Sequence, residues 1–290
     1  MIGDTKLAKL QGRVGAEYAR RSGEPEEVAL AIGEQYRPQS AADQPPITHA
    51  GRVVAVADRI DHLAACFRIG LRPTGSADPH ALRRAAQGIV RIILDAEWNV
   101  DLPEFIRVAL DNLPEIDHED ALPADEATGQ IHEFVLARLT GEMESRGVSY
   151  DLSRAVLATD CPDLLDAYHR AIALRDIRNR NEEAFQAVIM AAERTANICR
   201  GPKAEQHLSL DADALVDQYS IALNAALDEA RSSVQEALNG GDADYEAAWQ
   251  ALAGMCDAID TFFDEVMVMA EDEALRRNRL ALLAEIDDLF

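Results

Sequence analysis

Apolar residues recur every three or four positions along almost the whole of this 290-residue chain, and no segment shows the strict alternation of a half-buried strand. That periodicity commits the chain to an all-α fold. Breakers divide the helical stretches at Gly23-Glu24-Pro25, Pro38–Pro46, Arg72–Asp78, Leu113–Ala124, Gly147, Gly201-Pro202 and Gly240-Gly241. The clearest helix start is Asp78-Pro79, a capping residue followed by proline at the first helical position. From there Leu82, Ala86, Ile89 and Ile93 share one face, and Arg84, Gln87 and Arg91 the opposite one. A second long helix is expected to carry Tyr245, Trp249, Leu252, Cys256, Ile259 and Phe263 as its buried stripe. A third, near the C-terminus, carries Leu275, Leu282, Ile286 and Leu289. The Pro/Asp/Glu-rich segment 113–125 reads as the principal domain boundary, and a second falls near 178.

Charge narrows the function. The net charge is −24, which repels polyanions in general, and it is unevenly spread. Residues 204–275 hold 17 acidic residues and one basic residue, Arg231, whereas residues 170–203 hold seven Lys/Arg and four Asp/Glu. Any contact with nucleic acid must therefore use local basic surfaces against an opposing global field. No apolar run approaches bilayer length, so no membrane partner is expected. The four scattered cysteines, Cys66, Cys161, Cys199 and Cys256, have no paired metal or redox spacing and read as reduced, packed thiols of a cytoplasmic protein.

Candidate chemistry is sparse. Asp58, Asp61 and His62 stand three and four apart on a helical pattern, a spacing that serves either a shared metal ion or an ordinary capped, solvated helix face. The segment resembles the last helix of an HD-type phosphohydrolase, but the adjacent His-Asp ligands of such a site are missing upstream. The nearest approach is Asp117-His118-Glu119-Asp120, which follows Asp58. Thr74-Gly75-Ser76 serves either as a plain turn or as backbone donors to a phosphate, without the lysine spacing of a P-loop. No nucleophile constellation is tied together by spacing.

Arginines carry more. Arg83, Arg84 and Arg91 line the outer side of the Asp78-capped helix. Arg175, Arg178 and Arg180 straddle an expected turn with Asn179 and Asn181. Arg194, Asn197, Arg200 and Lys203 follow along one helix and its exit. Guanidinium groups interleaved with asparagine suit phosphate and base-edge contacts on structured RNA, and equally suit a solvated helix face. Arg279 falls close to an apolar stripe and reads as structural, paired with Asp264 or Asp272.

An ordered set of motifs runs the length of the chain: Gly15, Tyr18-Ala19, Glu34-Gln35-Tyr36-Arg37-Pro38, Ala55-Val56-Ala57-Asp58-Arg59-Ile60-Asp61, Pro73-Thr74-Gly75-Ser76, Asp78-Pro79, Ala81-Leu82-Arg83-Arg84, Ser149-Tyr150-Asp151, Glu193-Arg194-Thr195-Ala196-Asn197-Ile198, Phe262-Phe263-Asp264, Val266-Met267-Val268-Met269-Ala270 and Arg279-Leu280-Ala281-Leu282-Leu283. This set resembles the C-terminal part of the β subunit of bacterial heterotetrameric glycyl-tRNA synthetase, with Gln35 standing where that family usually has histidine. The resemblance implies an HD-like helical region over 1–123, incomplete at its N-terminus, a connecting helical segment over 124–177, and a DALR-type anticodon-binding bundle over 178–290. It further implies a non-catalytic, tRNA-binding part of an ATP-dependent glycine–tRNA ligase. The partners would be tRNA for glycine and an α subunit in an α2β2 assembly. ATP would be used by the α subunit, with no cofactor or metal on this chain. The tRNA contacts would be Arg175, Arg178, Arg180, Arg194, Asn197 and Arg200 at the anticodon arm. Arg83, Arg84 and Arg91 would meet the tRNA body or the α subunit. A remnant of an HD-type metal-dependent phosphohydrolase and an acidic protein-interaction scaffold are the competing readings.

Overall fold

The computed structural model describes residues 10–40, 42–73, 77–115, 121–159, 161–199, 209–239 and 243–290. Helices make up the fold, and no β-strand occurs among the described residues. No helix among the described residues is long and apolar enough to cross a membrane. The chain divides into two compact units, Met1–Ile172 and Ala173–Phe290, and the division falls inside one helix.

The first unit opens with α1 (Arg13–Arg21) and α2 (Glu26–Glu34), a hairpin whose turn uses Gly23 at φ 84°. Central to the unit is α3 (His49–Arg68). Thr48 caps it, accepting the Gly51 N–H at 3.1 Å, while its own hydroxyl donates to Glu34 at 2.7 Å. Around α3 pack α2, α4 (Leu82–Ala96), α5 (Leu102–Asp111) and α6 (Ala124–Ser145). Next come α7 (Tyr150–Leu157), which packs on α6, and α8 (Leu164–Arg180). Leu63, Leu82, Ile89, Ile92, Ile93, Leu102, Ile106, Ile131 and Leu139 are fully buried, each contributing about 1.5–3 kcal/mol of burial. Because α6 packs on α3, α4 and α5, residues 124–172 belong to the same compact unit as those before them. This packing cuts across the 1–123 and 124–177 segments expected from the Pro-rich break.

Asp78 does cap α4, but from further back than expected. Ala81 adopts a left-handed conformation at φ 56° and its N–H closes a turn onto the Asp78 carbonyl, so the helix begins at Leu82 and Pro79 lies outside it. The Asp78 carboxylate then reaches over the first turn to accept the Leu82 N–H at 2.8 Å and the Arg83 N–H at 3.0 Å. Leu82, Ala86, Ile89 and Ile93 are buried as the spacing predicts.

Arg59, only 7% exposed, holds the unit together at a point the sequence does not advertise. Its guanidinium donates to the carbonyls of Gln35 at 2.9 Å, Ala55 at 2.8 Å and Arg37 at 2.7 Å. It lies on Gly88, where a Cβ would stand 2.4 Å from its Nε. The pairing thus ties the segment after α2 to both α3 and α4.

In the second unit, α9 (Glu182–Cys199), α10 (Gln218–Leu238), α11 (Tyr245–Ala253), α12 (Cys256–Glu265) and α13 (Glu273–Asp287) enclose a core that includes Val188, Leu223, Leu227, Ile259, Phe262, Leu282, Leu283 and Ile286. The single long helix expected over 245–263 is broken. Gly254 ends α11 and α12 restarts after Met255, which is 1% exposed, because glycine is a poor helix former and the kink buries the methionine. Trp249 stacks on Phe185, with centroids 4.9 Å apart and planes 8° from parallel. Part of the acidic run is structural: Asp217, Asp244 and Asp272 each accept a backbone N–H at the start of α10, α11 and α13, at 2.7, 2.9 and 3.0 Å.

Arg279 is structural, but with a different partner from those expected. Buried on α13, it donates to Asp217 at 2.9 Å and to the Met267 carbonyl at 2.9 Å, so the N-cap of α10 takes the place of Asp264 or Asp272. Burial works against ionisation of Asp217, yet its bonds from the Ser220 N–H, Arg279 and the Ser220 hydroxyl outweigh burial and hold its pKa below the usual range.

Candidate nucleic-acid interface

In the second unit the candidate arginines lie on helices rather than around a loop. Instead of turning between Arg175 and Arg180, α8 continues to Arg180. Asn181 makes the break by itself, its side-chain oxygen accepting the Ala184 N–H at 3.1 Å to start α9. Each described arginine of this group has a carboxylate beside it. Arg175 pairs with Asp176 at 2.7 Å, Arg178 approaches Glu182 at 3.9 Å, and Arg180 pairs with Glu246. Arg194 pairs with Asp260, lies 3.8 Å from Asp264, and sets its guanidinium 4.6 Å from the centroid of Phe263. Asn197, exposed, follows on the same helix. Arg200 and Lys203 lie outside the described residues.

Those ion pairs are largely solvent-facing, with side-chain exposures of 38% and 59% for Arg194 and Asp260, and of 62% and 40% for Arg180 and Glu246. Pairs of that kind contribute about 0–1 kcal/mol and are screened by salt. A phosphate arriving at such a guanidinium replaces a carboxylate at little cost, so the pairing lowers the standing positive potential without blocking the contact.

Arg83, Arg84 and Arg91 converge on a groove of about 890 Å³ in the first unit, together with Arg138 of α6, Arg146 at the end of that helix, and Tyr168 and His169 of α8. Arg91 donates to the carbonyls of Ser40 at 2.9 Å and Asp43 at 2.7 Å. Arg83 donates to the Ala77 carbonyl at 3.2 Å. Arg84 is exposed. Arg138 sits 4.8 Å from the centroid of Phe134, and its buried Nε has no hydrogen-bond partner among the described residues. Burial and the neighbouring Arg83 cation both disfavour its charge, with Asp78 partly compensating. In sequence, only the four-residue spacing of Arg138, Glu142 and Arg146 marks one helix face there.

The bond-making alternatives find little geometry. Asp58, Asp61 and His62 are exposed along α3, and no group of three or more His, Cys, Asp or Glu among the described residues is placed to hold a metal ion. Thr74-Gly75-Ser76 and Asp117–Asp120 lie outside the described residues. The cysteines are unbridged. Burial pushes the Cys66 thiol up, and burial with Asp260 and Asp257 does the same to Cys256, so neither is poised as a nucleophile.

A family profile described as "Glycyl-tRNA synthetase beta subunit" matches residues 1–158. A second, described as "DALR anticodon binding domain", matches residues 188–290. Among curated proteins, the glycine–tRNA ligase beta subunit of Chromohalobacter salexigens is 39% identical over 285 residues, which is 98% of this chain and 40% of that protein. That of Moorella thermoacetica is 40% identical over 285 residues, again 98% of this chain and 40% of the relative. That of Pseudomonas aeruginosa strain LESB58 is 37% identical over 290 residues, covering 100% of this chain and 41% of the relative. The chain thus spans about two fifths of the length of these relatives.

Proposed function

This chain belongs to the glycyl-tRNA synthetase beta-subunit family, and from that membership we propose that it is the tRNA-holding C-terminal part of such a subunit. It supplies affinity and orientation while a separate α subunit activates glycine with ATP and makes the ester. The observation that carries this reading is the DALR anticodon-binding match over 188–290. It covers most of α9 and all of α10–α13, including Arg194 and Asn197 on a solvent-facing part of α9.

In this reading Arg175, Arg178, Arg180, Arg194, Asn197 and Arg200 contact the anticodon arm, with Arg175, Arg178, Arg180 and Arg194 exchanging their carboxylate partners for phosphates. Arg83, Arg84 and Arg91 meet the tRNA body. Correct placement of a large substrate contributes several kcal/mol to a reaction without supplying a reacting group. This is consistent with the exposed positions of Asp58, Asp61 and His62 and with the raised thiol pKa values. The protein acts in the cytoplasm with tRNA for glycine and the α subunit as partners.

The test is a low-salt binding comparison of tRNA for glycine against an unrelated tRNA, with and without the α subunit. Preferential binding of the glycine tRNA by this chain supports the reading. Equal affinity for both rejects a glycine-specific role, and capture of the α subunit with no RNA affinity rejects the reading in favour of an interaction scaffold.

A further inference from the structure

Two rows of guanidinium groups face one groove of the first unit. Arg84 and Arg91 stand seven residues apart on α4, about 10.5 Å along its axis, and Arg138 on α6 and Arg146, the cap that ends it, stand eight apart, about 12 Å. A protein of net charge −24 here gathers five arginines, Arg83, Arg84, Arg91, Arg138 and Arg146, around about 890 Å³. Three carboxylates share the lining: Asp95 is engaged from outside it by Arg52 at 2.6 Å, and Glu142 pairs with Arg146 at 3.5 Å, so the arginines outnumber the carboxylates five to three. Arg138 is crowded by a like charge and keeps a buried Nε without a partner. An anion placed in the groove would relieve the repulsion between Arg138 and Arg83. At the rim, the Tyr168 and His169 rings lie 5.9 Å apart, the histidine exposed.

We infer that this groove receives the sugar–phosphate backbone of an unpaired RNA segment, with Arg84 and Arg138 on phosphates and Tyr168 and His169 beside an unstacked base. The inference rests on the reading of this chain as a tRNA holder and gives it a second site, apart from the anticodon-binding bundle. The length of the cation rows selects a strand over a free nucleotide. A nucleotide's phosphates are bonded directly to one another and would engage one end of the groove. A duplex strand presents a phosphate about every 3.4 Å of axis, and an unpaired strand is more extended, so each row meets two or three phosphates. The groove's volume, that of a small-molecule site, has room for a single strand. Arginine planes and aromatic rings together are the chemistry by which single-stranded RNA is held.

The whole chain is tested by fluorescence anisotropy at low salt with a labelled 12-nucleotide oligouridylate and, separately, with a glycine tRNA transcript. The double variant Arg84→Gln/Arg138→Met should lose about tenfold in oligouridylate affinity, with the salt slope falling by about 0.7 for each phosphate contact removed. Arg84→Gln alone, an exposed change that leaves no buried group behind, should lose about threefold or more. Arg21→Gln, far along the chain on α1 and 75% exposed in its side chain, should change nothing. Inorganic tripolyphosphate should displace the oligonucleotide only weakly. If the wild-type chain binds tRNA but the Arg84 and double variants bind oligouridylate as it does, or tripolyphosphate binds while the oligonucleotide does not, the groove assignment falls and the tRNA-holding reading stands. If the wild-type chain binds no tRNA, both fall.

Discussion

Replacing Arg59 by methionine keeps most of the side-chain volume and removes the cation that gathers the carbonyls of Gln35, Arg37 and Ala55. The Ala55 carbonyl lies inside α3, whose own ladder serves it; those of Gln35 and Arg37 do not share that support. Hydrogen bonds to a charged donor contribute about 1.5–3 kcal/mol each, so the two together are worth roughly 3–6 kcal/mol. Relief from burying a guanidinium offsets part of this, leaving a net destabilisation of about 3 kcal/mol. For a unit of this size that is a fall in Tm of about 6–12 °C. Trp98 is the first unit's tryptophan and Trp249 the second's. Urea unfolding followed by fluorescence in a Trp249→Phe background therefore reads the first unit alone. Arg59→Met unfolding within about 0.5 kcal/mol of its background would refute the assignment of Arg59 as the tie between α3, α4 and the 35–38 segment, since surface changes fall in that range.

Gly88→Ala places a Cβ 2.4 Å from the Arg59 Nε and 2.9 Å from its Cδ. It should destabilise by about 1–2 kcal/mol after the helix-propensity gain, and should become neutral or stabilising in an Arg59→Ala background, as a double-mutant cycle by urea unfolding would show. Asp217 has a lowered pKa when folded, so its contribution is complete above the unfolded aspartate value, about 3.9, and is lost as pH falls through the folded value. Asp217→Asn should therefore flatten the acid limb of the second unit's stability, read from Trp249 in a Trp98→Phe background. Arg194→Gln breaks a half-exposed pair and a contact with Phe263. It should cost no more than about 1–2 kcal/mol of stability, while lowering tRNA affinity and the steepness of its salt dependence in a filter-binding titration.

What the sequence made legible is local. The 3.6-residue period set the all-α class, and the faces of α4 and α13 are buried where Leu82, Ile89, Leu282 and Ile286 predict. The structural role of Arg279 was visible from its position near an apolar stripe, but not its partner, because Asp217 is 62 residues away and meets it only through tertiary packing. Helix ends were read least well. Asn179 suggests a turn where α8 simply continues, and Gly254 breaks the chain inside an apolar stripe whose period runs on through it. In sequence, Arg138 and Arg146 each look like an ordinary solvated residue. Only the meeting of Pro38–Ser40, Gln44 and Pro45 with α4, α6 and α8 turns them into one wall of a groove. Arg59 was hidden for the opposite reason: a buried cation bonded only to backbone carbonyls leaves no side-chain partner in the sequence to point at it.

The claim that arginine-bearing helices on a strongly anionic body grip tRNA is tested most directly by the slope of log K against log salt for this chain with tRNA for glycine. A steep linear fall, shallower in Arg194→Gln and in Arg84→Gln, is the result expected from phosphate contacts at those positions. A flat salt dependence, or one identical in both variants, would contradict it.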